Sequence, residues 1–275
     1  MQEQFSYQKS AHTKGLCSFS AKIKDFSYGK HAHEEFSIGV TCRGRQDFFS
    51  NGTFHKSQAG NVIFFNPEQV HDGHAGGGKD MEYEMVYIPE STMMSLMQSI
   101  GNVSKDQSLL KVSSFHDAVL QKQIISIARF MNLEQPLSSL EEEHLLLGIA
   151  HSIVRLGDGS FIDKVAYGRT DKLLEQAKEF IHFNLNRKLG IEEISSAANM
   201  SKYHFIRLFN KQFGMTPHQY VLSYKINRVK RELELGDNAA NIAFKYGFSD
   251  LSHLNRNFKN TFGITPTQYQ RQLSL

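Results

Sequence analysis

An internal repeat constrains the fold of this chain more than any other feature of its sequence. Residues 201–220, SKYHFIRLFNKQFGMTPHQY, recur at an offset of 49 as DLSHLNRNFKNTFGITPTQY, with nine of twenty positions identical. The identities include His204/His253, Arg207/Arg256, Phe209/Phe258, Gly214/Gly263, Pro217/Pro266 and Tyr220/Tyr269. A repeat of this kind duplicates one supersecondary unit, so both copies must form the same elements. In the first, Ile191, Ile194 and Ala198 make the apolar stripe of a short helix, and Asn199-Met200 makes a turn. Ser201 can then N-cap a second helix that buries Phe205, Leu208, Phe209 and Phe213. Gly214 ends that helix, Thr216 caps the next one, and Pro217 takes its first position, where a missing N–H costs little. The second copy repeats the scheme with Ile242 and Ala243, a turn at Tyr246-Gly247-Phe248, Asp250 as N-cap, a buried side of Leu254, Phe258 and Phe262, and Gly263, Thr265 and Pro266 to close.

A helix, a tight turn and a second helix with a polar outer face form the helix-turn-helix arrangement, which lays its second helix in the major groove of DNA. The outer face carries Lys202, Tyr203, Ile206 and Arg207 in one copy and, at the same offset, Leu251, Ser252, Asn255 and Arg256 in the other. Arginine can bond guanine O6 and N7, asparagine can pair with adenine, and leucine or isoleucine can meet a thymine methyl; either arginine could hold a phosphate instead. From Pro217 to about Leu235 the chain reads as one helix with Tyr220, Tyr224, Val229 and Leu233 on its apolar side. At ~1.5 Å per residue it spans roughly 28 Å, against ~34 Å between successive major grooves on one face. The expected recognition helices, about 201–213 and 250–262, could therefore enter adjacent grooves.

Charge agrees with this division. Residues 1–165 hold 15 Lys and Arg against 19 Asp and Glu, net −4, whereas residues 166–275 hold 16 against 9, net +7. A basic module joined to an acidic remainder is the footprint of polyanion binding in one part of the chain only. With 40% hydrophobic and 21% charged residues the chain is too apolar for a disordered protein. No window approaches the ~18 uninterrupted apolar residues of a membrane span, and no signal peptide is read at the start, so a cytoplasmic protein is expected. The two cysteines, Cys17 and Cys42, lack CxxC spacing and suggest neither a disulfide nor redox chemistry.

The first hundred residues are rich in glycine and read as short strands, among them Glu35–Val40, Asp47–Phe49, Val62–Phe65 and Glu82–Tyr87. The pattern changes near Pro89. Two amphipathic helices are expected over Phe115–Asn132 (Val119, Ile124, Ile127, Ala128, Met131) and Glu141–Arg155 (Leu145, Leu146, Ile149, Ile153), their stripe buried on the barrel or on a second copy of the chain. Gly157-Asp158-Gly159-Ser160 reads as the start of a linker. The expected class is α+β with two domains: an N-terminal β-barrel with a helical pair, and an all-α C-terminal domain with a double helix-turn-helix. The expected boundaries are 1–100 for an effector domain, 101–160 for the helical pair as a dimerisation region, 161–169 for a linker and 170–275 for the DNA-binding domain.

Residues 170–273 resemble the DNA-binding domain of AraC/XylS-type bacterial transcription regulators. The second motif matches almost position by position at Ile242-Ala243, Gly247-Phe248, Ser252, Arg256-Asn257-Phe258, Gly263-Ile264-Thr265-Pro266 and Tyr269. Ile206 and Leu251 are apolar where members often carry polar base-readers. The resemblance implies two helix-turn-helix subdomains joined by a long helix, an operator as DNA partner, and activation or repression of transcription. The N-terminal segment resembles the cupin-like sensory domain found in this family: His31-Ala32-His33 begins a metal-cupin-like pattern, Gly44 stands where its closing glycine would, and Pro67 through His71 looks like the second motif with altered spacing. If the segment is a strand, His31, His33, Glu35 and Ser37 point to one face. Metal cupins use two histidines, a glutamate and a further histidine, and here Ser37 takes the glutamate position. Expected effector contacts are His31, His33, Glu35, His71, Tyr83 and Tyr87, with Met85 on the same strand face as the two tyrosines; plain core is the other reading of that face. Asp72-Gly73-His74 through Gly76-Gly77-Gly78 reads as a flexible loop that could serve as a lid.

These features lead to a one-component regulator in which an effector in the barrel alters the grip on an operator, with homodimerisation and RNA polymerase as expected partners. No catalytic residue and no cofactor are expected. The alternative is a metal-dependent cupin enzyme or metal sensor with a DNA-binding appendage, its divalent metal on His31, His33 and His71. A nonspecific architectural DNA protein fits less well, because +7 is a modest charge and a sensor domain would then have no task.

Overall fold

The computed structural model describes residues 3–100, 110–131, 138–157 and 169–273. The chain divides into two compact units, one of Met1–Ser27, His33–Gln69 and Gly73–Val165, the other of Tyr28–Ala32, Val70–Asp72 and Ala166–Leu275. The N-terminal part of the chain carries strands β1 (Gln4–Lys9), β2 (Cys17–Ile23), β3 (Ser27–His31), β4 (Phe36–Arg43), β5 (Arg45–Ser50), β6 (Thr53–Gln58), β7 (Val62–Phe65), β8 (His71–Ala75) and β9 (Met81–Ile88). Helix α1 (Glu90–Ile100), the two-residue strand β10 (Ser114–Phe115), α2 (Ala118–Met131) and α3 (Ser139–Gly157) follow. One sheet has the order β1-β2-β9-β4-β7-β10 and is antiparallel throughout, and a second has the order β3-β8-β5-β6.

Side-chain alternation gives the larger sheet two different faces. Phe36, Ile38 and Val40 of β4, Val62 and Phe64 of β7, and Val86 and Ile88 of β9 join one buried core with Met93, Met94 and Met97 of α1, Ile124 and Ile127 of α2, and Leu146, Ile149 and Ile153 of α3. The other face carries Phe19, Ser37, Tyr83, Met85 and Tyr87. The register sets Ser37 opposite Tyr87 and Gly39 opposite Met85. A Cβ on Gly39 would meet Met85 Sδ at 2.1 Å and Glu84 O at 2.6 Å, so glycine is required where the methionine crosses the strand. Asn51 and Gly52, both at positive φ (50° and 74°), make the tight β5–β6 hairpin.

The α3 stripe is thus buried within the chain and is not an open dimer face. Helix α2 begins at Ala118 rather than Phe115, because Ser114 and Phe115 pair with Ile63 and Val62 of β7. Asp117 then accepts from Leu120 N at 2.8 Å and starts the helix. Residues 158–160 and almost all of the linker expected at 161–169 lie outside the described residues. Neither cysteine is in a disulfide among the described residues; Cys17 is buried and Cys42 exposed.

The second unit holds α4 (Arg169–Phe183), α5 (Ile191–Ala197), α6 (Lys202–Phe213), α7 (Pro217–Glu234), α8 (Ala239–Lys245), α9 (Leu251–Phe262) and α10 (Pro266–Leu273). Helices α4, α5 and α6 pack on one another and α6 packs on α7, while α8, α9 and α10 form a like group around the other part of α7. Tyr220, Tyr224, Val229 and Leu233 are buried on α7, as its periodicity requires. Phe205, Phe209, Leu254, Phe258 and Phe262 are fully buried, whereas Leu208 and Phe213, expected with them, are half-buried.

Candidate DNA interface and effector site

Each expected recognition helix is delimited by its own local chemistry. Helix α9 starts at Asp250, whose carboxylate accepts from His253 N at 2.7 Å. Bonds from the His253 amide and the Ser249 hydroxyl hold that carboxyl below the usual aspartate range. Helix α6 starts at Ser201, which has the extended N-cap backbone but makes no side-chain cap bond, contrary to its expected role. Both helices end on a left-handed glycine, Gly214 (φ 73°) and Gly263 (φ 79°). The following helices open with matched capping boxes, Thr216 with Gln219 and Thr265 with Gln268. The turns inside the two motifs rest on Asn199 (φ 51°) and Gly247 (φ 66°), the conformation that asparagine and glycine tolerate best.

Of the expected DNA-contacting residues, Lys202, Tyr203, Arg207, Leu251, Ser252 and Arg256 are exposed; Tyr203 is 84% exposed. Ile206 and Asn255, expected on the same outer face, are half-buried. They occupy equivalent repeat positions, one residue after the buried Phe205 and Leu254, and a turn of ~100° per residue leaves them at the edge of the face. Lys202 is engaged, its ammonium 2.7 Å from Glu192 of α5, and the guanidinium of Arg207 lies 3.4 Å from His204 Nδ1.

In the N-terminal region, β3 ends at His31, and His33 and Glu35 lie in the bend before β4. The expected single-strand face of His31, His33, Glu35 and Ser37 therefore does not form. The reason is topological, since β3 and β4 belong to different sheets and the chain must cross between them. The histidines nevertheless converge: His31, His33 and His71 are buried and can each offer one ring nitrogen within 4.8 Å of the others. The His31 and His71 rings are 4.4 Å apart. His31 Nδ1 donates to Gly29 O at 2.7 Å, which leaves Nε2 with its lone pair. Burial, opposed by the Gly29 carbonyl and by Asp72, lowers the His31 pKa. Glu35 is half-buried.

Tyr87 lies with its ring 4.9 Å from that of His33 and opposite Ser37, whose buried hydroxyl finds no hydrogen-bond partner among the described residues. Tyr83 packs edge-on against Phe19, which stacks on Tyr7 at 4.3 Å. Tyr7 and Phe19 are not read from the sequence as neighbours of Tyr83, although the alternation Cys17, Phe19, Ala21, Ile23 along β2 carries a readable signal. Burial raises the Tyr87 and Tyr7 hydroxyl pKa values, so both are neutral hydrogen-bonding groups. A cleft of about 410 Å³ runs past Phe5, Ser20, Lys22, Cys42, Glu82 and Tyr83, and Tyr83 is the sole expected effector residue lining it. The glycine-rich segment is shorter than expected, because Asp72 to His74 belong to β8. Gly76 is anchored too, its N–H bonded to Arg45 O at 2.8 Å, while a Cβ there would lie 2.5 Å from the Asp47 carboxylate.

Comparison with known proteins decides the family. The model of the AraC-like ligand binding domain matches residues 13–150, and a helix-turn-helix domain model matches residues 194–272. The chain belongs to the AraC family. It is a DNA-binding transcription regulator with an N-terminal ligand-binding domain. It is similar to the HTH-type transcriptional regulator YbfI of Bacillus subtilis, at 26% identity over 82% of this chain and 81% of that protein. Similarity to the XylDLEGF operon transcriptional activator of Pseudomonas putida is 24% over 86% and 75%. ToxT of Vibrio cholerae, solved with an unsaturated fatty acid bound, shares the fold at a TM-score of 0.61 and 12% identity, covering 97% of this chain and 98% of that one. Among the described residues, no helix of this AraC-family chain is long and apolar enough to cross a membrane.

Proposed function

We propose that this chain is a cytoplasmic, non-enzymatic regulator in which a small effector held by residues 1–100 shifts the population able to grip an operator, bound through residues 170–275. The observation that carries this reading is the pairing, in one chain, of an AraC-like ligand-binding domain with two copies of one helix-turn-helix on a shared helix. Helices α6 and α9 enter adjacent major grooves. The 18 residues of α7 span about 27 Å at ~1.5 Å each, near the groove repeat of ~34 Å. Lys202, Tyr203, Ile206, Arg207, Leu251, Ser252, Asn255 and Arg256 contact DNA, the two arginines as guanine readers. Contact with RNA polymerase and a homodimer complete the reading; with the α3 stripe internal, the exposed Val119 and Phe130 of α2 support a dimer face.

The effector has an apolar or aromatic body and a hydrogen-bonding head. Buried imidazoles, neutral tyrosine hydroxyls and the unsatisfied Ser37 hydroxyl beside an aromatic lining support that class, and the fatty acid held by ToxT is of this kind. Effector and operator are then coupled reciprocally by ~1–3 kcal/mol. The test is selection of bound fragments from random duplex by the purified chain at ~0.15 M salt, where nonspecific attraction is partly screened. A motif of two half-elements about one helical turn apart is expected; binding with no preference over random duplex overturns the proposal.

The convergence of three buried histidines favours a second reading of the same domain as a metal sensor. Three imidazoles with an open fourth position fit a first-row divalent ion such as zinc, which would supply a Lewis-acidic anchor for an anionic head. His31, His33 and His71 would hold it. Metal analysis after zinc loading and gel filtration decides: one ion per chain, lost in His71→Ala, supports this reading, and no retained zinc removes it.

A further inference from the structure

Lysine is rarely buried without a reason, and Lys225 in the middle of α7 is only 7% exposed. Its ammonium donates to two backbone carbonyls that belong to the two different groups of helices. One is Arg187 O at 2.9 Å, in the turn between α4 and α5; the other is Tyr246 O at 2.5 Å, at the end of α8. The two turns are also in near contact. A Cβ placed on Gly247 would lie 3.6 Å from Arg187 C, from Lys188 N and from Lys225 Nζ. Each turn is held from its own side: Arg187 bonds Glu193 at 2.9 Å and Asn184 at 3.0 Å, and Glu232 of α7 takes both the Lys245 ammonium, at 2.6 Å, and the Tyr246 hydroxyl, at 2.7 Å. This node joins the two groups of helices. Burial lowers the Lys225 pKa, and the paired carbonyls compensate the desolvated charge.

We propose that Lys225 is the positioning residue that fixes the separation of the two recognition helices, and with it the spacing of half-elements one chain accepts. The inference rests on the two-groove reading above. An α-helix joined to two small modules only through its own packing leaves each module free to rock. A charged donor shared between turns of both modules removes that freedom, and charge-assisted bonds are about twice as strong as neutral ones.

The test uses the full chain and duplexes carrying the motif selected by the wild-type protein, with the spacer between half-elements lengthened or shortened one base pair at a time. Wild type is expected to lose affinity steeply with each change. Lys225→Met should bind a single half-element as wild type does, which reports that the modules are folded, yet bind the best bipartite duplex about tenfold more weakly and with a flattened dependence on spacer. Lys225→Arg, which keeps the donors, should restore the dependence. If Lys225→Met yields no folded protein, Lys225→Gln is read in the same way and in the same direction. A Lys225→Met or Lys225→Gln variant with the wild-type spacer profile overturns the inference and leaves the two-groove reading standing. A wild-type protein indifferent to spacer overturns both.

Discussion

The two copies of the repeat share a scaffold and differ in how their outer faces are tied down. Both proposed recognition helices, α6 and α9, end on a left-handed glycine and are followed by a capping box. In the second copy the N-cap carboxylate is bonded, whereas in the first Ser201 makes no side-chain cap bond and Lys202 is drawn to Glu192. The cores differ too. Phe209 lies among Phe205, Phe213 and Tyr220, while Phe258 meets Phe262 and Tyr269. Duplication has preserved what every such motif needs, a buried aromatic and its caps, and has left the outer surface to diverge. Under the two-groove proposal, divergence there lets one chain read two unlike half-elements.

The hardest way to break the comparison is to empty each core. Phe209→Ala and Phe258→Ala should each cost about 3–5 kcal/mol in urea denaturation, since both side chains are fully buried. A cost below about 1 kcal/mol for either would mean that its copy contributes little to the stability of the domain. A smaller effect sharpens the comparison at the surface. Arg207→Ala and Arg256→Ala should each reduce the ratio of specific to random-duplex binding by ~1–3 kcal/mol if the side chain reads a guanine. Equal losses would assign base reading to both copies. Weaker binding with an unchanged ratio would reassign that arginine to phosphate.

The contrast extends to what the sequence discloses. The C-terminal domain is legible because its determinants are local: a glycine after each helix, a proline at the start of the next, and aromatic residues at helical spacing. The N-terminal region is less so, because its determinants are pairings across the chain. The spacing of His31, His33, Glu35 and Ser37 suggests one strand face, yet the chain changes sheets between His31 and Phe36. The histidines still meet, through a tertiary arrangement that places His71 of β8 against His31. Helix α1 is not read because Glu90–Ile100 is short and serine-rich, and its methionines count as apolar only once Met93, Met94 and Met97 are seen in the core. Phe115 reads as helical because its apolar ring continues the α2 pattern, but backbone pairing with Val62 claims it first. Ser201 is a cautionary case within the legible half, a favoured capping residue whose hydroxyl makes no cap bond.

That difference in capping gives the smallest and most discriminating prediction. Asp250→Ala removes an N-cap acceptor and should lower the melting temperature, whereas Ser201→Ala removes no bond and should change it less. The effect of Asp250 should also depend on pH in a defined sense. Its carboxyl is held below the usual range in the folded chain by the His253 amide and the Ser249 hydroxyl. A depressed folded pKa contributes stability that is fully present above the unfolded value of about 3.9 and fades as pH falls through the folded pKa. The melting temperatures of wild type and Asp250→Asn should therefore differ most near neutrality and converge in acid, while Ser201→Ala tracks wild type throughout. A gap between wild type and Asp250→Asn that persists unchanged below pH ~3 would show that the residue acts through its shape and not through its charge. The asymmetry between the two copies would then lie in the presence of a cap bond at Asp250 and its absence at Ser201, with charge playing no part.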